Sequence, residues 1–145
     1  MIGLIQRVSS ASVSIAGVQV AAIDAGIMLL LGVEKADDEA KAARLLERVL
    51  NYRIFADEQG KMNCSLRDKG FDLLIVPQFT LPADTRKGNR PGFSSAAPPA
   101  LGQALFEFVC ARMKAESGRL HCGVFGADMQ VSLVNDGPVT FWLQQ

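Results

Sequence analysis

Along the first third of the chain, apolar residues come in short bursts among small polar ones. Val13, Ile15, Val18 and Val20 fall at strand-like spacing, and Gly17 stands where a hairpin turn between two runs belongs. Ala25-Gly26 interrupts, and Ile27-Met28-Leu29-Leu30-Leu31 follows as a continuous apolar run. A run that short, bounded by turn residues, predicts a strand buried on both faces. The period then changes. Ala42, Leu45, Leu46, Val49 and Leu50 share one face of a helix that Asp37 opens as its cap, with Asp38 and Glu39 favourably placed at the N-terminal end of the dipole. Asp57-Glu58-Gln59-Gly60 reads as a turn. Residues 71–76 read as a second buried strand, whose pairing should falter at Pro77 because proline has no N–H to give to a ladder.

Residues 82–99 carry four prolines, two glycines and no apolar period. They form a long loop, and loops of such length in compact domains tend to be functional. Leu101, Leu105, Phe108 and Arg112 then mark a second helix that fades near Gly118. Three more strands follow, at about residues 120–125, 129–134 and 139–143. No repeat or linker divides the chain. The expectation is a single α/β domain over residues 1–145, with mixed β-sheet layers and two helices packed on one side. Its order is two or three strands, a helix, a strand, a helix and a final group of three strands.

Composition narrows the function classes. Of 145 residues, 49% are hydrophobic and 21% charged, which is ordinary globular material at the apolar end. The formal net charge is zero, which argues against a protein that coats long nucleic acid by phosphate neutralisation but does not exclude one that grips only the end of an RNA. The first residues turn polar at Gln6-Arg7 before a signal-peptide core can form, and the apolar stretch at 25–33 is far shorter than the ~20 residues of a membrane span. A soluble cytoplasmic protein is expected. Cys64, Cys110 and Cys122 contain no C-x-x-C pair and read as free buried thiols in a reducing compartment. A single histidine, His121, excludes a multi-histidine zinc site, and no metal or other cofactor is expected. Neither a G-x-S-x-G elbow nor a P-loop occurs.

The informative segments are Pro77-Gln78-Phe79-Thr80-Leu81 and Asn135-Asp136-Gly137-Pro138-Val139-Thr140. Each is a strand end running into a turn, where sites are built on a rigid scaffold. Thr80 is a tempting nucleophile, but no recognisable base lies near it in sequence, and a structural role for its hydroxyl and methyl competes. Asp136 beside a Gly-Pro pair is first of all turn chemistry. Together with Gln6-Arg7-Val8, Leu31-Gly32-Val33, Tyr52-Arg53-Ile54-Phe55, Ala83-Asp84-Thr85 and Arg90-Pro91, these segments make the chain resemble the D-aminoacyl-tRNA deacylase family over its whole length. That family has Ser-Gln-Phe-Thr-Leu and Asn-x-Gly-Pro-x-Thr segments. The second is complete here, and the first departs from it only at Pro77.

The resemblance implies a homodimer that hydrolyses D-aminoacyl-tRNA without a cofactor, and neither membrane nor DNA as a partner. Gln78, Phe79 and Thr80 would line the pocket for the 3′-terminal aminoacyl-adenosine, for which an amide and an aromatic are suitable types. An ester beside a ribose 2′-hydroxyl can be cleaved by positioned water and backbone oxyanion stabilisation, without ionisable side chains. Gly137-Pro138, cis in that family although sequence alone favours trans, would enter the partner's pocket and reject L-residues while passing glycine. Arg7 would support this turn, with an exposed strand cation as the plainer reading. Arg86, Lys87 and Arg90 would meet acceptor-stem phosphates, or simply form solvated surface. Two alternatives stay open: a related deacylase that removes mischarged L-alanine and carries proline where Pro77 stands, and a non-catalytic RNA-end-binding module.

Overall fold

The computed structural model describes residues 1–145, apart from the side chain of Ser117. Its elements are β1 (Ile2–Ile15), β2 (Val18–Ile23), β3 (Gly26–Gly32), α1 (Glu39–Leu50), β4 (Phe55–Ala56), β5 (Met62–Cys64), α2 (Leu66–Lys69), β6 (Asp72–Pro77), α3 (Pro99–Ser117), β7 (Leu120–Cys122) and β8 (Gln130–Gln144). The α/β class, the hairpin at Gly17 and the two larger helices agree with the pattern of the sequence.

One mixed sheet organises the molecule. The 14-residue β1 pairs along one edge with β8, and along the other with β3 through its first half and β2 through its second. From β3 the sheet continues in parallel to β6 and then β7. Parallel neighbours need crossovers, and α1 and α3 lie in the two connections. The apolar runs in β3 and β6 are buried on both faces, as their lack of alternation implies. Ile27, Leu29, Leu31, Leu73 and Ile75 face the cluster that holds both helices, while Met28, Leu74 and Val76 face a second cluster with Val8, Val13 and Ile23. Burial of each such leucine contributes about 1.5–3 kcal/mol.

Four expectations are corrected. Helix α1 is capped by Asp38, whose side chain accepts from the Lys41 amide at 2.8 Å. Asp37 is instead buried, taking the N-terminal ammonium at 2.6 Å and the Glu34 amide at 2.7 Å. The third helix, α2, is a single turn held by a Ser65/Asp68 capping box and a left-handed Gly70. Strand β7 stops at Cys122, short of residue 125. The strands expected at 129–134 and 139–143 are one continuous β8, interrupted by a bulge.

Candidate active site

Strand β6 ends at Pro77, whose partner in β3 is Leu31, and the chain turns at once. The Gln78 amide donates to the Leu31 carbonyl at 2.8 Å, and the Leu81 amide closes the turn onto the Gln78 carbonyl at 3.3 Å. This turn lies so close to β3 that a Cβ at Gly32 would stand 2.8 Å from Leu81 Cβ and 3.0 Å from Pro82 Cδ. Only glycine lets the strand pass beneath it.

The turn sits on the rim of a pocket of about 540 Å³, whose walls include Leu31, Val76, Phe106, Phe125 and Met129, with Pro77, Gln78 and Phe79 on its lip. Apolar walls with a few polar groups are the usual make-up of a ligand site. The Gln78 side-chain amide donates to Thr80 Oγ1 at 2.7 Å. That bond orients the hydroxyl without supplying a base, since a carboxamide does not take up the threonine proton. Among the described residues, the Phe79 and Thr80 backbone N–H groups have no acceptor. Two adjacent free amides, one on the lip of an apolar pocket and one just outside it, are suited to a developing oxyanion.

Phe79 is 65% exposed, and its ring centroid lies 5.5 Å from that of Phe93, itself 43% exposed. Phe93 belongs to the loop and was not anticipated; its signal was an aromatic in an otherwise polar, proline-rich stretch. Mutual backbone hydrogen bonds of 2.7 and 2.9 Å between Asp84 and Gly92 close this loop at its base. Within it Arg86 grips Asp84 through Nε and Nη2 at 2.9 and 2.8 Å, holding that carboxyl well below the usual carboxylate range. Lys87 and Arg90 have no carboxylate partner among the described residues. With Asp84, Arg86 and Ser94 they line a second, polar hollow of about 480 Å³.

The other segment forms the bulge in β8. Gln6 pairs with Thr140 and Val8 with Asn135, so Asp136 to Val139 stand opposite Arg7 alone. The Gly137-Pro138 peptide is cis. Arg7 holds the bulge: Nε donates to the Asp136 carbonyl at 2.9 Å and lies 3.2 Å from its carboxylate, while Nη1 donates to the Ile54 carbonyl at 2.7 Å. Asn135 completes the frame, accepting from the Val139 amide at 2.8 Å and donating to Thr140 Oγ1 at 2.8 Å and Gln6 Oε1 at 3.1 Å. Asp136 is thus an ion-pair partner of Arg7. His121 is a half-buried residue of β7.

One chain does not bring the two segments together. Arg7 pairs with Ile27, and Ile27 with Leu73, four residues before Pro77. The bulge is therefore about 13 Å from Pro77 along the strands and about 14 Å across them, close to 20 Å over the sheet. No group of three or more His, Cys, Asp or Glu placed to hold a metal occurs among the described residues, nor does any helix long and apolar enough to cross a membrane.

A family model described as D-Tyr-tRNA(Tyr) deacylase matches residues 4–144. A D-aminoacyl-tRNA deacylase of Stutzerimonas stutzeri is 60% identical over 144 residues, and proteins of the same name from Pseudomonas putida and Cronobacter sakazakii are 58% identical; in each case 99% of both chains is covered. Among solved structures, a c-Myc DNA unwinding element binding protein superimposes with a TM-score of 0.96 at 37% identity, covering 100% of this chain and 99% of its own. A probable eukaryotic D-amino acid tRNA deacylase shares the fold, with a TM-score of 0.85 at 18% identity over 98% of this chain and 97% of its own.

Proposed function

The chain belongs to the D-Tyr-tRNA(Tyr) deacylase family, and on that premise we propose that it hydrolyses the ester of D-aminoacyl-tRNA in the cytoplasm, releasing the D-amino acid and free tRNA. The observation that carries the reading is the pair of unengaged amides at Phe79, on the lip of an apolar pocket, and at the next residue, Thr80, whose hydroxyl accepts from the Gln78 side chain. The terminal adenosine and its ester enter beside Gln78, Phe79 and Thr80. The two amides donate to the carbonyl oxygen as it becomes an oxyanion. The vicinal 2′-hydroxyl of the ribose assists attack by water, and Thr80 positions the substrate without becoming acylated.

Selection comes from a second copy of the chain. Each subunit offers its Gly137-Pro138 turn, held by Arg7, to the pocket of the other. The distance of about 20 Å between the two segments within one chain supports this arrangement. So does the outer edge of β8, which among the described residues pairs with β1 alone, while the strand exposes Val134 and Trp142, 57% and 50% accessible, on either side of the bulge. Backbone carbonyls crowd the side on which an L-residue carries its side chain, whereas a D-residue presents hydrogen there. Glycine has no side chain to exclude, so glycyl-tRNA is a substrate too. Lys87 and Arg90 meet acceptor-stem phosphates, and Arg86 contributes less because Asp84 already compensates it.

Turnover of one tRNA charged in turn with D-tyrosine, L-tyrosine, glycine and L-alanine tests the proposal. The D-amino acid and glycine should be released and both L-amino acids retained. Pro77 favours the L-alanine alternative at one position, and release of L-alanine in preference to the D-amino acid would establish that type instead. Binding without release of any amino acid would leave an RNA-end-binding module. In the same assay Thr80→Ala should slow hydrolysis without abolishing it, and a terminal 2′-deoxyadenosine should cost far more; the reverse order would overturn the RNA-assisted mechanism.

A further inference from the structure

Behind the pocket, and used by nothing described so far, two of the three cysteines meet. Cys110 on α3 and Cys122 at the end of β7 are half-buried, and their sulfurs lie 2.9 Å apart. Twelve residues separate them in sequence, so only the fold reveals the pair. Both flanks lead to the pocket. Phe106, one helical turn before Cys110 on the same face of α3, lines it, as does Phe125, three residues beyond Cys122; their ring centroids are 6.3 Å apart. Cys122 also pairs with Ile75, two residues before Pro77, and the next residue, Gly123, donates to the Ile75 carbonyl at 2.8 Å.

We propose that Cys110 and Cys122 form a dithiol site oxidised by hydroperoxides, and that the resulting disulfide ties α3 to β7 behind the pocket and slows turnover. The thiolate forms first at Cys122, where the neighbouring Cys110 thiol lowers the pKa; the same contact, together with burial, pushes Cys110 up. The Cys122 thiolate attacks one peroxide oxygen. An S–O bond forms, the O–O bond breaks, and the other oxygen leaves as water or an alcohol once protonated, giving a Cys122 sulfenic acid. The Cys110 sulfur then attacks the Cys122 sulfur. The S–S bond forms, the S–O bond breaks, and hydroxide leaves as water with the Cys110 proton. Two thiols are oxidised by two electrons and one peroxide is reduced. Such a bond in a reducing compartment is transient and reversible by small thiols.

The experiment treats the reduced protein with stoichiometric hydrogen peroxide, followed by alkylation and peptide mass mapping. A Cys110–Cys122 disulfide with Cys64 still alkylated is the expected result. Release of the D-amino acid from D-tyrosyl-tRNA should fall about tenfold, since ångström-scale misplacement near a site is worth up to about a hundredfold. Dithiothreitol should restore it, and Cys110→Ser and Cys122→Ser should each keep their rate in peroxide. Consumption of Cys64 at the same rate, or sulfinic acid without a disulfide, would overturn the site. A disulfide that leaves turnover unchanged would overturn its effect on the pocket. The effect on turnover rests on the proposed deacylase activity, but bond formation does not: an inactive reduced protein would tell against that activity, while mass mapping still reads the bond.

Discussion

Gly137→Ala puts a methyl group into the tightest part of the β8 bulge. Gly137 has φ +139°, a conformation that a residue with a Cβ adopts at a strain of about 1–3 kcal/mol. The new Cβ would stand 2.7 Å from Val139 Cγ2, 3.1 Å from Arg7 Nη2 and 3.1 Å from the Val139 amide. Overpacking of this kind adds about 1–3 kcal/mol. Val139 is only half-buried and can rotate, so the lower part of the combined range applies, about 2–4 kcal/mol. At a urea m-value near 2 kcal/mol/M, a loss of about 3 kcal/mol lowers the unfolding midpoint by about 1.5 M. The methyl meets its own chain before it meets substrate, so the turn shifts and the ratio of D- to L-aminoacyl-tRNA turnover should fall with stability. Val139→Ala in the same chain removes the 2.7 Å contact but not the strain, and a double-mutant cycle should return about 1–2 kcal/mol of coupling. A Gly137→Ala protein within about 0.5 kcal/mol of the parent would refute the rigid turn. One that is destabilised yet fully selective would place the filter elsewhere.

Lys87→Ala and Arg90→Ala should each raise KM for whole tRNA and flatten its log–log salt dependence by about 0.9, while Arg86→Ala does less and an aminoacyl-adenosine is unaffected by all three. Equal effects on both substrates would mean that the loop shapes the pocket. The Arg67 guanidinium holds Glu47 Oε1 and Oε2 at 2.6 and 2.9 Å and brings its pKa from 4.5 down to about 2. A depressed carboxyl stabilises the fold above its unfolded pKa and loses that contribution as pH falls from 4.5 to about 2. The pair is exposed, so the contribution is below about 1 kcal/mol. Arg67→Met should make that acid limb of the stability curve shallower, and an unchanged limb in urea titrations across this range would refute the assignment.

Patterns that repeat within one element were legible in the sequence, and contacts between distant elements were not. Helix α1 showed because five apolar residues recur at its period, and β3 and β6 showed because unbroken apolar runs of that length are strands. The cap was misplaced by one residue because Asp37 is claimed by an ammonium group 36 positions away, leaving Asp38 to the helix. Helix α2 is too short to have a period, although Ser65, Asp68 and Gly70 carried its capping signal. Asn135-Asp136-Gly137-Pro138 reads as a chain reversal, but pairing with β1 on both sides makes it a bulge within one strand. At the site, the break at Pro77 was visible because proline cannot continue a ladder. The partnership of Phe79 with Phe93 and that of Cys110 with Cys122 depend on loop closure and helix packing, which leave no periodic trace.

The turn proposed as the filter needs more residues to hold it than the two that form it. Glycine and proline contribute carbonyls but no side chain that could fix them in place. Holding the four residues Asp136 to Val139 still costs roughly 1–2 kcal/mol each in backbone entropy, about 4–8 kcal/mol in all. Arg7 supplies one charge-assisted hydrogen bond to the Asp136 carbonyl and a solvent-exposed ion pair to its carboxylate, and Asn135 three neutral hydrogen bonds to Val139, Thr140 and Gln6. At about 1.5–3 kcal/mol for the charged hydrogen bond, about 0–1 for the exposed pair and about 0.5–1.5 for each neutral bond, these return about 3–8 kcal/mol, comparable to the entropy they oppose. The guanidinium is itself anchored to the Ile54 carbonyl, beside the core packed against α1. Rigidity at Gly137-Pro138 is thus lent by Arg7 and Asn135. In the proposed arrangement, selectivity should therefore be as sensitive to those two side chains as to the turn they hold.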